Sequence, residues 1–244
     1  MRYTQKSKGA TTPGKRLRTA PVVYFQERKE TMFTKEDNEV FDRIIEKRST
    51  CRSFSERLPE KEDIEKIIDA GTKAPYASID AKAIDVFRHF YVIFHDDPRM
   101  EVIDRLIREQ SALDLERRLE EKKSDPFLQE NGERVEKLWD HVAKHGESTF
   151  PNPPCMIVVA EWRGARRAER QSLAHLMENM WLKATALNLD FQIISVIENM
   201  VSNKEFCDMF HLPVGEYGFH ACVVGYAKKG AGRNARCTAE VHFE

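Results

Sequence analysis

The chain has 244 residues, 41% hydrophobic and 32% charged, with 39 Lys or Arg against 40 Asp or Glu and a formal net charge of −1. That balance excludes a globally basic nucleic-acid binder and an acidic disordered chain, and the apolar fraction suffices for a real core. No apolar run approaches the roughly 18 residues of a membrane helix, and residues 1–20 lack the apolar stretch of a signal peptide.

Residues 1–34 read as a mobile basic arm. Its first twenty residues hold six Lys or Arg, no acid and almost no large apolar side chain, so nothing there repays the entropy of ordering. One folded domain is expected over 35–244. Residues 35–47 predict a helix with Val40, Phe41, Ile44 and Ile45 on one face. Residues 60–71 predict a second, with Ile64, Ile67 and Ile68 inward and Gly71 near its end, broken by Pro75. Phe90–Phe94 reads as a buried strand. Residues 99–148 form a charged helical insertion, read as two helices split near Ser124-Asp125-Pro126, with Leu113, Leu115 and Leu119 at helical spacing. Met156–Ala160 is a second buried strand. Residues 170–188 give the strongest helix, with Leu173, Leu176, Met177, Met180, Trp181, Ala184 and Leu187 in one wide stripe. Phe191–Ile197 reads as a strand, 202–210 as a short helix capped by Ser202, and Phe219–Tyr226 as a fourth strand. Elements of both kinds without regular alternation favour an α+β fold.

Two basic clusters carry the chemistry. Arg48-Ser49-Thr50-Cys51-Arg52 sets two arginines four apart with hydroxyls between them, a donor set that suits an anion. A solvated loop is the bland alternative. The second cluster, Lys228, Lys229, Arg233 and Arg236, is interleaved with Gly230 and Gly232. The two clusters would suit one phosphate if the fold joined them. The basic neighbours of Cys51 predict a lowered thiol pKa. The five cysteines form no C-x-x-C pair, which argues for reduced thiols and a cytoplasmic setting. His141 and His145 are four apart, but no third metal ligand accompanies them in sequence. No Walker loop, G-x-S-x-G or G-x-G-x-x-G occurs.

The segment EKRSTCRSFSERLPEKEDIEKIIDAGTKAPYA resembles the opening of the nitroreductase family. Arg48, Ser49, Thr50, Arg52 and Phe54 fill its first motif and Ala74-Pro75 its second. The strand at 156–160, the helix near Asn179, Leu212-Pro213, Gly225-Tyr226 and the ending Ala239–Glu244 are also similar. The resemblance implies a three-layer α/β/α fold with a mainly antiparallel central sheet, built as an intertwined homodimer. It implies FMN as cofactor, NADH or NADPH as electron donor, and a small-molecule acceptor such as a nitroaromatic or quinone reached in a ping-pong cycle. By the same match, Arg48, Ser49, Thr50 and Arg52 contact FMN, with Arg52 beside the pyrimidine side. Arg233 or Arg236 holds the phosphate with Arg48. Ser195 and Val196 fall where the family offers a backbone N–H to flavin N5. No side chain is assigned as acid or base, because the flavin carries the chemistry.

The sequence departs from the family at Tyr76–Ala81, where Ile79 falls near an Asn position and a Gln-Pro-Trp run is missing. It departs again at Val196, where the family commonly has Gly. These changes and the insertion leave a specialised relative, dehalogenating or flavin-fragmenting, as an alternative. A non-catalytic flavin-binding protein is another. A basic-arm role on nucleic acid is the most distant. Trp139 and Phe150 are candidates to flank a substrate.

Overall fold

The structure is a computed structural model. It describes residues 33–76, 86–150, 152–164, 167–228, 232–233 and 239–243. The basic arm up to residue 32, the departures at 77–81, Arg236 and Cys237 lie outside these residues.

Helix α1 (Lys35–Lys47) opens with a reciprocal cap: Thr34 Oγ1 accepts from the Asp37 amide (3.1 Å), and Asp37 accepts from the Thr34 amide (2.9 Å). Strand β1 (Thr50–Cys51) follows, then α2 (Lys61–Thr72). Strand β2 (Arg88–Phe94) leads into the insertion, which forms three helices and not two: α3 (Arg99–Lys122), α4 (Pro126–Asn131) and α5 (Glu133–His145). The reason is local. Asp125 Oδ1 caps α4 through the Phe127 amide (2.8 Å), with Pro126 in its first turn, and Gly132 ends α4 and starts α5.

Strand β3 (Cys155–Trp162), α6 (Glu169–Ala186) and β4 (Asp190–Ile193) come next. The strand expected over 191–197 therefore stops early. Ile194, Ile197 and Met200 are fully buried at intervals of three. That is the period of the 3₁₀ helix Ser195–Ser202 that takes over. Helix α7 (Lys204–Met209) is capped by Asn203, whose Oδ1 accepts from the Phe206 amide (3.0 Å), and not by Ser202. Strands β5 (Tyr217–Gly225) and β6 (Gly232–Arg233) complete the sheet.

The six strands run in the order β2-β3-β5-β4-β1-β6. Only β1 and β4 are parallel; every other pair is antiparallel. Strand β3 is covered on both faces, which explains its unbroken apolar run. Met156, Val158 and Ala160 join a core with α3, α7 and the 3₁₀ helix. Cys155, Ile157 and Val159 join a second core with α2 and α6. The expected three-layer α+β architecture is thus observed. Close packing of α2 on α6 requires Gly71, since a Cβ there would sit 2.9 Å from Met180 Cγ. The apolar stripe of α6 is core, but that of α1 is not: Val40, Phe41 and Ile45 are about half exposed.

Charges are sequestered at the β2 edge. Arg88 Nε bonds the Glu161 carboxylate at 2.5 Å with both side chains buried, and Ser172 donates to the same carboxylate. Removing the cation strands a buried charge. Arg88→Ala is expected to cost about 3–5 kcal/mol of unfolding free energy, read by urea denaturation. A loss below about 1 kcal/mol would show that Glu161 finds other compensation.

Candidate functional site

The two basic clusters meet through the backbone. Thr50 pairs with Phe191 of β4 on one side and with Arg233 of β6 on the other, and Cys51 pairs with Gly232. The pairing continues beyond the strands. Phe54 bridges Ala227, the Ser55 amide donates to the Tyr226 carbonyl (2.7 Å), and the Lys228 amide donates to the Ser53 carbonyl (2.9 Å). The chain after β5 therefore runs antiparallel beside residues 50–55.

The individual side chains then separate. The Arg48 guanidinium stacks 4.3 Å above the Trp181 ring and lies 3.6 Å from Glu178. Ser49 lines a recess with Lys47, Thr185, Asn188 and Asp190, apart from the cleft that holds Ser195 and Val196. Arg52 is exposed and has no ion-pair partner among the described residues. Arg233 is placed by its backbone alone. Cys51 overturns the thiolate expectation. It is fully buried, burial raises its pKa, and its Sγ–H points at the Ser53 carbonyl (3.3 Å). Desolvation dominates; Arg48 is turned onto Trp181 and Glu178, and Arg52 is exposed.

Ser195 and Val196 open the 3₁₀ helix directly after β4. The first amides of a helix have no acceptor within it, and neither amide faces one elsewhere among the described residues. Both residues line a cleft of about 220 Å3 between the insertion and the sheet, with Ser111, Asp114, Leu138, Trp139, Val142 and Glu147. Of the two aromatic candidates, Trp139 lies on this cleft, whereas Phe150 packs against the α3-side core. His141 and His145 stand 4.8 Å apart, ring to ring, and no group of three or more metal-ligating side chains forms among the described residues.

Sequence reasoning missed Glu147 and Gln192. Glu147 follows Gly146, whose φ of 76° and close approach to Asp104 leave no room for a Cβ (2.5 Å to Oδ1). Ser148 Oγ donates to the Arg52 carbonyl (3.2 Å), which ties the end of the insertion to the basic motif. Gln192 is buried on β4, and its Nε2 donates to Glu147 at 3.4 Å. Desolvation raises the Glu147 pKa against the opposing field of Arg52. The one sequence signal was His145-Gly146-Glu147, a glycine at a helix end.

A hydroxyl (Thr50), an uncommitted cation (Arg52) and two open amides (Ser195, Val196) suit a ligand rich in anionic and carbonyl oxygens and ring nitrogens, and FMN has that chemistry. The residues present therefore fit the cofactor that the fold implies.

A search of curated proteins finds no match. Among solved structures, a nitroreductase with bound FMN from Bacteroides fragilis gives a TM-score of 0.60 at 17% identity, covering 84% of this chain and 97% of the other. One with bound FMN from Desulfitobacterium hafniense gives 0.60 at 17%, covering 84% and 98%. Iodotyrosine deiodinase bound to FMN and 3-iodo-L-tyrosine gives 0.60 at 16%, again covering 84% and 98%. At such identities these likenesses establish a shared fold. The model of the nitroreductase family matches residues 45–226, well over half of the sequence and every strand but β6, and the chain belongs to that family.

Proposed function

We propose that the chain is an FMN-dependent oxidoreductase. It takes hydride from NADH or NADPH and passes it, in a ping-pong cycle, to a small-molecule acceptor such as a nitroaromatic or quinone. The observation that carries this reading is the double pairing of Thr50 with Phe191 and Arg233, which joins the two basic clusters at the strand leading to Ser195. Family membership and FMN in two fold neighbours support it.

FMN, when bound, supplies the hydride chemistry. The chain's own residues bind and orient. Thr50 offers a hydroxyl and Arg52 a cation to the pyrimidine side, where a positive charge favours the reduced, anionic form. Arg48 with Arg233 or Arg236 serves the phosphate, Ser49 adds a hydroxyl at the motif's start, and the Ser195 and Val196 amides donate to the ring edge. The insertion roofs the cleft and excludes water.

The reading includes a homodimer. The exposed face of α1 runs into an apolar groove of about 330 Å3 lined by Phe41, Ile44, Leu182 and Ala186, and a second copy would bury both. It also includes a cytoplasmic setting, supported by four unpaired cysteines among the described residues. Reductive dehalogenation is a second reading, favoured by the roof that α3 and α5 build over the cleft. Halide release from a halophenol under reduced cofactor discriminates it from simple acceptor reduction.

The purified protein is expected to show a flavin spectrum and release FMN on heating. A colourless protein that takes up no added FMN would sink the proposal. Arg52→Ala should weaken FMN binding at least about tenfold with the melting temperature unchanged, because an exposed charged donor is lost without disturbing the core. Equal flavin affinity would remove Arg52 from the site. Phe41→Glu should convert a dimer into a monomer in sedimentation analysis. An unaltered dimer would place the interface elsewhere.

A further inference from the structure

The cleft beside Ser195 and Val196 carries a pattern that flavin binding does not use. Its volume of about 220 Å3 admits one aromatic ring with a substituent, since an apolar cavity of about 150 Å3 takes benzene. Leu138, Trp139 and Val142 of α5, with Val196, supply an apolar lining. The Arg118 guanidinium lies 5.4 Å from the Trp139 ring centre and holds it in place.

Four charged groups line the cleft: Asp114 and Glu198 have close partners, whereas the exposed Arg170 and the more buried Glu147 form no ion pair among the described residues. Asp114 accepts from Arg117 (2.8 Å), Gln110 (3.1 Å) and Asn199 (2.7 Å). Glu198 meets His220 Nε2 at 3.0 Å and lies in the field of Arg170. Glu147 forms no ion pair among the described residues; Arg52 and His141 act on it only through space. Its one side-chain partner is the long bond from Gln192. Around it, Gln192 Oε1 and Thr149 Oγ1 are buried without hydrogen-bond partners. Glu147 therefore keeps unused acceptor capacity toward the cleft, and Gln192 Oε1 behind it is a second acceptor without a donor. Gly146 and the Ser148 bond to Arg52 fix the loop that carries Glu147.

We propose that the cleft selects its acceptor substrate by a ring-and-donor pattern: a single aromatic ring against Trp139, bearing a hydroxyl or amine that donates its hydrogen to Glu147. The inference rests on the reductase reading for the word acceptor, but the ligand class follows from the cleft alone. An aryl carboxylate turned toward Glu147 brings a second anion and no donor, so that pose is disfavoured even with Arg170 elsewhere on the lining. A bare hydrocarbon ring leaves the desolvated carboxylate unpaired.

The test is isothermal titration of the full-length protein with phenol, benzylamine, benzoate and toluene, none of which needs turnover to be seen. FMN content is measured on the same sample. Phenol and benzylamine should bind at least about tenfold more tightly than benzoate and toluene. Glu147→Ala should erase that preference. Glu147→Gln should keep phenol within a few-fold of the wild type while benzylamine falls to the level of toluene, which separates loss of charge from loss of fold. Trp139→Ala should weaken every ring probe. Benzoate binding as well as phenol, an intact preference in Glu147→Ala, or no binding by any probe overturns the proposal. A flavin-free protein that still shows the preference would refute the reductase reading and leave the ligand class standing. A flavin-loaded protein without it would do the reverse.

Discussion

The pairing of Thr50 on both sides is the constraint on which the rest depends. A strand of two residues has no stability of its own. It persists because β4 supplies a parallel partner and β6 an antiparallel one, so the segment after α1 is locked between chain regions far apart in sequence. Three consequences follow from one set of backbone bonds. The basic motif is straightened, so that Ser49 and Arg52 come to lie near opposite ends of the strand. The C-terminal cluster is brought alongside. Arg52 is delivered to the same end of the sheet as the turn from β4 into the 3₁₀ helix.

The sheet around that junction is held from both faces, and the two cores divide the work. The α2–α6 side is close-packed, with Gly71 against Met180 and the rings of Trp181 and Phe191 stacked 5.4 Å apart. Trp181 also carries Arg48, so the first arginine of the motif is positioned by the core itself. The α3 side contains the turn at Ser195, because Ile194, Ile197 and Met200 anchor the 3₁₀ helix beneath the cleft. The candidate site thus lies where a regular strand gives way to a tighter helix, and open amides arise there from geometry alone.

What the sequence made legible was periodicity with a partner inside the chain. The stripe from Leu173 to Leu187, the run Met156–Ala160 and the mixture of helices and strands without regular alternation all pointed to the observed layers. The face of α1 was read with the right residues, Val40, Phe41 and Ile45, but about half of each stays exposed among the described residues, and amphipathicity cannot say which body covers it. The strand read over Phe191–Ile197 carried the wrong period past Ile193, since a short apolar run fits strand or helix alike. Cys51 was misjudged because its charged neighbours in sequence are not its neighbours in space. β1 and β6 were invisible: two-residue strands leave no pattern, and their existence is a long-range fact. Glu147 and Gln192 were missed for the same reason, as 45 residues separate them.

The insertion is where this chain makes its own choices. It does not float over the site, for its last turn is bonded to it. Gly146 presses against the buried Asp104 of α3, Ser148 holds the Arg52 carbonyl, and Glu147 between them is forced toward Gln192 of the sheet. A carboxylate so placed costs desolvation, offset by the Ser148 amide, a long bond from Gln192 and the field of Arg52 and not by a direct ion pair. Such a cost persists in a fold only where the surrounding backbone determines it, and desolvated polar groups of this kind gather at binding sites. The backbone junction at Thr50 fixes where the basic motif lies. The side chains that α5 and the 146–150 loop add around the cleft are the part of the molecule free to set what enters it.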